Sequence, residues 1–236
     1  MGNPRWLSNQ RRQRFDAFTR NLNFPGPGAR LLDIGCGNGV FLWQMRTLGW
    51  EVCGIEPDPK AVALACAAGF DVRHGHLSEQ SLPDSHFDAV VLNHVIEHLH
   101  DPMDTLRRIW KLLKPNGQIS IATPNFASNG HRYFGADWFA LMPPTHLVLF
   151  TEKSLRDALI ACGFNVTHPP HPVLAAHEFF RQSFVLRHGG DPMTKNEKLP
   201  WFARLQAYRL AAKANRMTRR EPAGAEEIIL LGRKAG

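Results

Sequence analysis

Arg30-Leu31-Leu32-Asp33-Ile34-Gly35-Cys36-Gly37-Asn38-Gly39-Val40 is the stretch whose reading decides the fold. It is an apolar strand that enters a glycine turn and leaves it as a helix carrying Phe41, Leu42 and Met45. Glycine has no Cβ and tolerates positive φ, so such a turn lets a ligand approach the backbone closely. The spacing excludes two phosphate cradles. A GxGxxG dinucleotide fingerprint needs glycine where this chain has Val40, and a Walker loop needs a Gly-Lys-Ser/Thr ending that is absent. Asp33 stands just before the turn, and Glu56 closes the next strand, Val52-Cys53-Gly54-Ile55-Glu56-Pro57. Two carboxylates flanking the crevice suit a cationic, ribose-bearing ligand better than a polyphosphate.

Outward from this unit, short apolar runs alternate with helical patterns, as in βαβ units around a parallel sheet. The pattern predicts strands near 30–34, 51–55, 70–73, 87–92, 118–123, 164–167 and 226–232. It predicts helices at 39–48, 58–68, 95–99 with 102–114, and 152–162. Pro59 and Pro102 mark helix starts; Gly69 and Pro115-Asn116-Gly117 mark helix ends. Trp6 to Leu22, with Leu7, Phe15, Phe18 and Leu22 among arginines, reads as an amphipathic N-terminal helix. Residues 171–225 interrupt the alternation with two helical patterns, 173–187 and 201–217, before Glu226-Glu227-Ile228-Ile229-Leu230-Leu231 resumes as a strand. The expected α/β architecture is a Rossmann-like seven-stranded, mostly parallel sheet with helices on both faces. Its parts are an N-terminal helical cap (1–29), a core (30–170 and 226–236) and a helical insertion (171–225) before the last strand.

Composition narrows the class. With 236 residues, 44% hydrophobic and 21% charged, the chain has the make-up of a globular domain and excludes fibrous or wholly disordered readings. No apolar run reaches the roughly 18 residues of a membrane span, and Met1-Gly2-Asn3-Pro4-Arg5 lacks the apolar stretch of an export signal, so a cytoplasmic protein is expected. Cys36, Cys53, Cys66 and Cys162 never form a CxxC pair and read as small buried hydrophobes with free thiols.

The charge is unevenly spread. Ten of the basic residues lie in 181–220 against only Asp191 and Glu197, so this one segment carries the whole excess behind the net charge of +7. A nucleic-acid-binding protein more typically spreads its basic and aromatic residues, which argues against that partner. In the second helical pattern Arg209, Lys213, Arg216 and Arg220 recur at helical spacing, while Phe202, Leu205, Tyr208 and Ala212 fall elsewhere on the wheel. The insertion is therefore read as a solvated helix face, as a contact with an anionic membrane surface that would make the protein peripheral there, or as a site for a phosphorylated, nucleotide-linked or lipid-linked acceptor.

Four ordered motifs resemble the class I S-adenosylmethionine-dependent methyltransferases. LLDIGCGNG (31–39) is similar to their first motif and GIEPDP (54–59) to their second. Phe87 to His98 and Leu112-Leu113-Lys114-Pro115-Asn116-Gly117 to Ala122-Thr123-Pro124-Asn125 continue the likeness, which covers most of residues 30–165. The resemblance implies S-adenosylmethionine as cofactor. Gly35, Gly37, Asn38 and Gly39 would lie along its methionine and ribose part, with Asp33 supporting the loop and the aminoacyl end. Glu56 would accept both ribose hydroxyls, Pro57 would pack beside the adenine, and Asn93 would follow at the end of the fourth strand. Where relatives often carry an acid for the adenine amino group, this chain reads Gly75-His76-Leu77; a neutral imidazole nitrogen of His76 can accept the same hydrogen bond.

His94-Val95-Ile96-Glu97-His98 also matches the HxxEH pattern of inverted zinc metalloproteases. That would need a third protein ligand. The resemblance to quinone-ring O-methyltransferases also permits a divalent ion at Glu97 and His98, although those carry an acid where this chain has His94; the reading adopted is that no metal is bound and that Glu97 and His98 hold the Asn93-His94 loop. Methyl transfer to oxygen needs positioning and a base. His146, in the aromatic and proline-rich loop Trp138 to Thr151, is the leading candidate, with His94 next and His131 behind; the other reading of His146 is a hydrogen bond tying its loop to the sheet. The PxHLxxFT string is similar to a branch of small-molecule O-methyltransferases. The expected function is methyl transfer to a small-molecule acceptor at oxygen, quinone-like, sugar-nucleotide or lipid-linked. Alternatives are an N- or C-methyltransferase on the same scaffold, a non-catalytic cofactor-binding relative, and more remotely the zinc protease.

Overall fold

A computed structural model describes residues 9–171, 174–194 and 199–236. Seven strands form one sheet in the order β3-β2-β1-β4-β5-β7-β6. They are β1 Arg30–Ile34, β2 Glu51–Glu56, β3 Asp71–His74, β4 Phe87–Asn93, β5 Leu113–Pro124, β6 Phe164–Thr167 and β7 Glu227–Lys234. β7 runs antiparallel to both β5 and β6, and the remaining pairings are parallel. β1 has β2 on one side and β4 on the other, so the chain changes direction across the sheet at β1, where α/β sheets place their ligands.

Alternation along each strand feeds two layers. Leu32, Val90, Leu92, Ile119 and Ile121 face α4 (Pro102–Leu112) and α6 (Glu152–Ala161) through Leu106, Ile109, Leu112, Leu155 and Leu159. Leu31, Ala89 and Val91 face α2 (Val40–Thr47) and α3 (Pro59–Ala67) through Phe41, Leu42, Met45 and Ala65. The α3 and α4 starts follow from Asp58 and Asp101, whose carboxylates accept from the Lys60 and Asp104 N–H, with proline in each first turn.

Several expectations are corrected. Residues 95–99 make a short 3₁₀ turn at Ile96–His98 rather than an α-helix. Pro115-Asn116-Gly117 does not close a helix at 114; it lies inside β5, with Asn116 at φ 63°, and the β4–β5 register shifts between Phe87 and Ala89 to absorb it. The loop after β5 contains α5 (Asn129–Phe134) and two 3₁₀ turns, Gly135–Asp137 and Phe139–Leu141. Of the cysteines only Cys36 is buried; Cys53 and Cys162 are half-buried, and Cys66 is exposed although its thiol donates to the Val72 carbonyl at 3.6 Å.

The N-terminal helix, α1, spans Asn9–Phe18; of the apolar residues read as its inward face, Phe15 is half-buried, Phe18 exposed and Leu22, beyond the helix, in the core, while Trp6 and Leu7 lie outside the described residues. The insertion is a pair of helices, α7 (Ala176–Arg187) and α8 (Trp201–Arg220); Val173, Lys195, Glu197 and Lys198 lie outside the described residues. The pair is antiparallel: the Ala176 N–H reaches Asn215 at one end, and the His188 and Phe202 rings meet, tilted, at the other. Phe179, Phe180 and Phe184 of α7 and an alanine row of α8 pack with Phe134, Trp138 and Ala140 into a third cluster. No helix among the described residues is long and apolar enough to cross a membrane.

Candidate active site

The glycine turn is fixed to β2 by two hydrogen bonds, Gly35 and Cys36 N–H both reaching the Ile55 carbonyl at 2.8 and 3.2 Å. Gly35, Gly37 and Gly39 take φ of 74°, 55° and 84°. Their surroundings differ. A Cβ on Gly35 would meet Val95 Cγ2 at 2.4 Å, one on Gly37 would meet nothing within 4 Å, and one on Gly39 would press on Phe70 at 3.1 Å and Ala65 at 3.3 Å. Gly39 is therefore a packing position, where α2 starts against α3.

Glu56, buried at the end of β2, accepts the Gly37 N–H on Oε2 at 2.8 Å and the Asp58 N–H on Oε1 at 2.9 Å. Each carboxylate oxygen has two lone pairs, so each keeps one for a hydroxyl donor. Glu56 opens on a cavity of about 540 Å³, which Gly35, Pro57, His76, Leu77 and His98 also line. That volume is in the range of cofactor and small-ligand sites. Five of the ten cofactor positions read from sequence thus come together: Gly35, Glu56, Pro57, His76 and Leu77. Gly37 adjoins through Glu56, and Asn38 is exposed on the turn.

Two positions fall elsewhere. Asp33 is fully buried, bound by Arg20 Nη1 at 2.9 Å, and its Oδ2 has no hydrogen-bond partner among the described residues. Burial pushes its carboxyl up to about 6 even though Arg20 opposes the shift. Asn93 lines a second cavity of about 320 Å³, together with Arg20, Ser120 and Glu227.

His94 stands where β4 ends, at φ 56°. Its Nδ1 lies 3.4 Å from Glu97 and its Nε2 2.7 Å from Glu227. Burial disfavours the charged ring, but the hydrogen bonds to Glu227 and Glu97 overcome it and raise its pKa to about 10. An imidazolium cannot take a proton, so this geometry works against the base role expected of His94. Glu97 is itself buried and accepts from Thr123 Oγ1 at 3.0 Å; these contacts hold its carboxyl low against the effect of burial. The zinc-protease reading fails on the same residues. The HxxEH stretch is a 3₁₀ turn, and its first histidine is consumed by two carboxylates.

His98 and His146 form a second histidine unit, their rings edge-on at 4.7 Å. His98 Nδ1 lies 2.9 Å from the Thr145 carbonyl and His146 Nδ1 2.7 Å from the Ala140 carbonyl. A carbonyl only accepts, so each Nδ1 carries the hydrogen and each Nε2 is left with a lone pair. Burial lowers the His146 pKa, which keeps the ring neutral near pH 7. The Leu147 and Val148 N–H groups bind the Glu97 carbonyl, which pins this loop to the 94–98 turn. Among the described residues, Glu97, His98 and His146 bring ligand-type atoms within 4.8 Å of one another, the one set able to hold a metal ion. His131 is bound to the Phe126 carbonyl at 2.7 Å and sits between Phe126 and Trp138 as a packing residue.

Sequence reasoning missed three groups. His98 faces the main cavity, a place that its reading as a loop-holding residue or ion ligand does not foresee; its position in HxxEH is the available signal. Glu227 was read only as strand, although two acids opening an apolar strand are unusual. Its neighbour Glu226 is buried, accepting from the Gly130 N–H at 2.7 Å and Trp138 Nε1 at 3.2 Å, which ties the loop after β5 to β7.

The glycine turn, the acid at the end of β2 and the switch in strand order define an α/β domain that binds a nucleoside-bearing ligand. The chain belongs to the methyltransferase-domain family, whose model matches residues 6–169, and the likeness to class I S-adenosylmethionine-dependent methyltransferases read from four motifs is borne out at that level. It is similar to the ubiquinone biosynthesis O-methyltransferases of Aromatoleum aromaticum, at 30% identity over 61% of each chain, and of Cereibacter sphaeroides, at 34% identity over 63% of this chain and 66% of that one. The chain thus spans a little under two thirds of these relatives. Among solved structures, the [4+2]-cyclase SpnF shares the fold with a TM-score of 0.63 and 21% identity over 98% of this chain and 83% of that one. A methyltransferase from Archaeoglobus fulgidus does so at 0.58 and 22%, over 95% and 92%.

Proposed function

We propose that this protein transfers the methyl group of S-adenosylmethionine to an oxygen of a small-molecule acceptor. The observation that carries the reading is Glu56: a buried carboxylate at the end of β2, held by two backbone N–H groups, with accepting capacity left on each oxygen, lining a cavity of about 540 Å³. That is the acceptor pair a ribose diol requires, and the open space over Gly37 leaves the turn accessible. When bound, the cofactor supplies an activated methyl group on a sulfonium. The protein supplies positioning and proton removal. Pro57, His76 and Leu77 form the adenine side of the cavity.

His98 and His146 supply the base. His98 lines the cavity while His146 packs against it, so the geometry favours His98, which is not among the bases read from sequence, as the proton acceptor and His146 as its support. A phenolic hydroxyl fits such a base, and the curated relatives are O-methyltransferases of ubiquinone biosynthesis. Calorimetric titration with S-adenosylhomocysteine, followed by assays of catechol-type acceptors with labelled donor, tests the reading. Absence of cofactor binding would overturn it.

A further inference from the structure

We propose that the outward face of α8 docks this protein on an anionic lipid bilayer. The argument starts from which residues the helix buries. Ala203, Ala207, Ala211 and Ala214, with Thr218, form its inward stripe. Because that stripe is small, α8 seats closely against α7, and its bulky apolar residues are left outside: Trp201 is 72% exposed, Phe202 54%, Leu205 46% and Tyr208 64%. Sequence reading set these apolar residues apart from the basic ones around the helix, whereas both sets are exposed on the finished fold.

The two sets are largely separated along the helix axis. Its first two turns present Trp201, Phe202, Leu205 and Tyr208 with one cation, Arg204, and its later turns present Arg209, Lys213, Arg216, Arg219 and Arg220 with one apolar residue, Met217, all exposed. The helix contains no acidic residue. A rigid helix about 30 Å long therefore offers an aromatic end and a cationic length on one outward side. Tryptophan and tyrosine favour the membrane–water boundary, and clustered cations favour anionic headgroups. A soluble phosphorylated acceptor would engage the cations but leave four apolar side chains in water. A second copy docked with its helix parallel would set this cationic length against its own like charges, and an antiparallel pairing is an outcome that the test below separates. A bilayer satisfies both halves at once.

The test uses the full chain in flotation with vesicles of phosphatidylglycerol and phosphatidylcholine, or of phosphatidylcholine alone. Compared are the wild type, R209Q/K213Q/R216Q/R220Q, W201S/F202S/L205S, and W43S as a control at an exposed tryptophan of α2. Titration with S-adenosylhomocysteine and thermal melting establish that each variant is folded. The wild type is expected to bind anionic vesicles at least tenfold more tightly than neutral ones, and each α8 variant to lose at least tenfold while W43S binds as wild type. Equal binding to both vesicle types overturns the proposal, as does anionic binding that survives in both α8 variants. So does a wild type that ignores vesicles and instead binds a short RNA duplex or dimerises through α8. None of these results depends on methyl transfer, so the docking reading can fail while the enzymatic one stands.

Discussion

His94 and Glu227 meet at 2.7 Å across the end of the sheet, and each lines a different cavity. Their ion pair is part of the wall between the Glu56 cavity and the smaller one beside α1. It joins the turn after β4 to the first residue of β7, and Glu97 completes it from the other side of the ring.

Glu227→Gln tests this wall by linkage. The folded-state pKa of His94, about 10, lies above its unfolded value near 6.5, so its contribution is fully present below pH 6.5 and is lost as pH rises through 10. The His94 side chain is 40% exposed, and water on that side screens the pair, so a loss of about 1 kcal/mol is expected near neutral pH. Denaturant unfolding should show that difference at about pH 6 and its closure above about pH 10. A difference that does not change with pH would mean that the pair is not ionic.

Glu56 supports the turn and the ligand together, and two substitutions separate those tasks. Glu56→Ala removes both acceptors of the Gly37 and Asp58 N–H groups, whereas Glu56→Gln keeps one oxygen. Glu56→Gln should weaken S-adenosylhomocysteine binding by about 1.5–3 kcal/mol, the scale of hydrogen bonds to a charged group. Glu56→Ala should weaken it further and lower the melting temperature as well. Unchanged affinity in both would remove Glu56 from the ribose.

The histidine pair makes a kinetic prediction. His98→Ala should lower kcat by about 10²-fold or more and flatten the acid limb of its pH profile, with cofactor affinity intact. His146→Ala should cost stability, because the Ala140 carbonyl loses its donor, and should retain the limb. If His146→Ala abolishes the limb instead, His146 is the base; because burial lowers its pKa, the wild-type rate should then level off at a pH below the ordinary histidine range.

The parts of this fold legible in the sequence have a period or a fixed turn chemistry. The strand–turn–helix unit at Arg30–Val40, the proline-marked starts of α3 and α4 and the acid at the end of β2 are of that kind. The six-residue α5 and the three-residue turns after it are too short to show a period. The pairing of His94 with Glu227 joins strands far apart in the chain, and no local pattern encodes it. α8 misleads for a different reason: large apolar residues suggest an inward face, but the close approach to α7 selects the alanines.

The glycine turn gives the sharpest contrast between neighbours of the same type. Gly35 and Gly37 both hold positive φ, so alanine at either costs about 1–2 kcal/mol from left-handed backbone alone. At Gly37 nothing lies within 4 Å of the added methyl, so that conformational cost is all that stability should lose. At Gly35 the methyl would overlap Val95 Cγ2 at 2.4 Å. Val95 follows His94 in the turn that lines the main cavity, so relieving the clash means moving that turn. Overpacking of this sort adds about 1–3 kcal/mol, which brings Gly35→Ala to about 2–5 kcal/mol and should also weaken S-adenosylhomocysteine binding. The double variant Gly35→Ala/Val95→Ala removes the overlapping methyl groups. Denaturant unfolding should then return to near the Gly37→Ala level, apart from the cost of truncating a half-buried valine. If the double variant is as unstable as the sum of its single changes, Val95 is not what requires glycine at position 35.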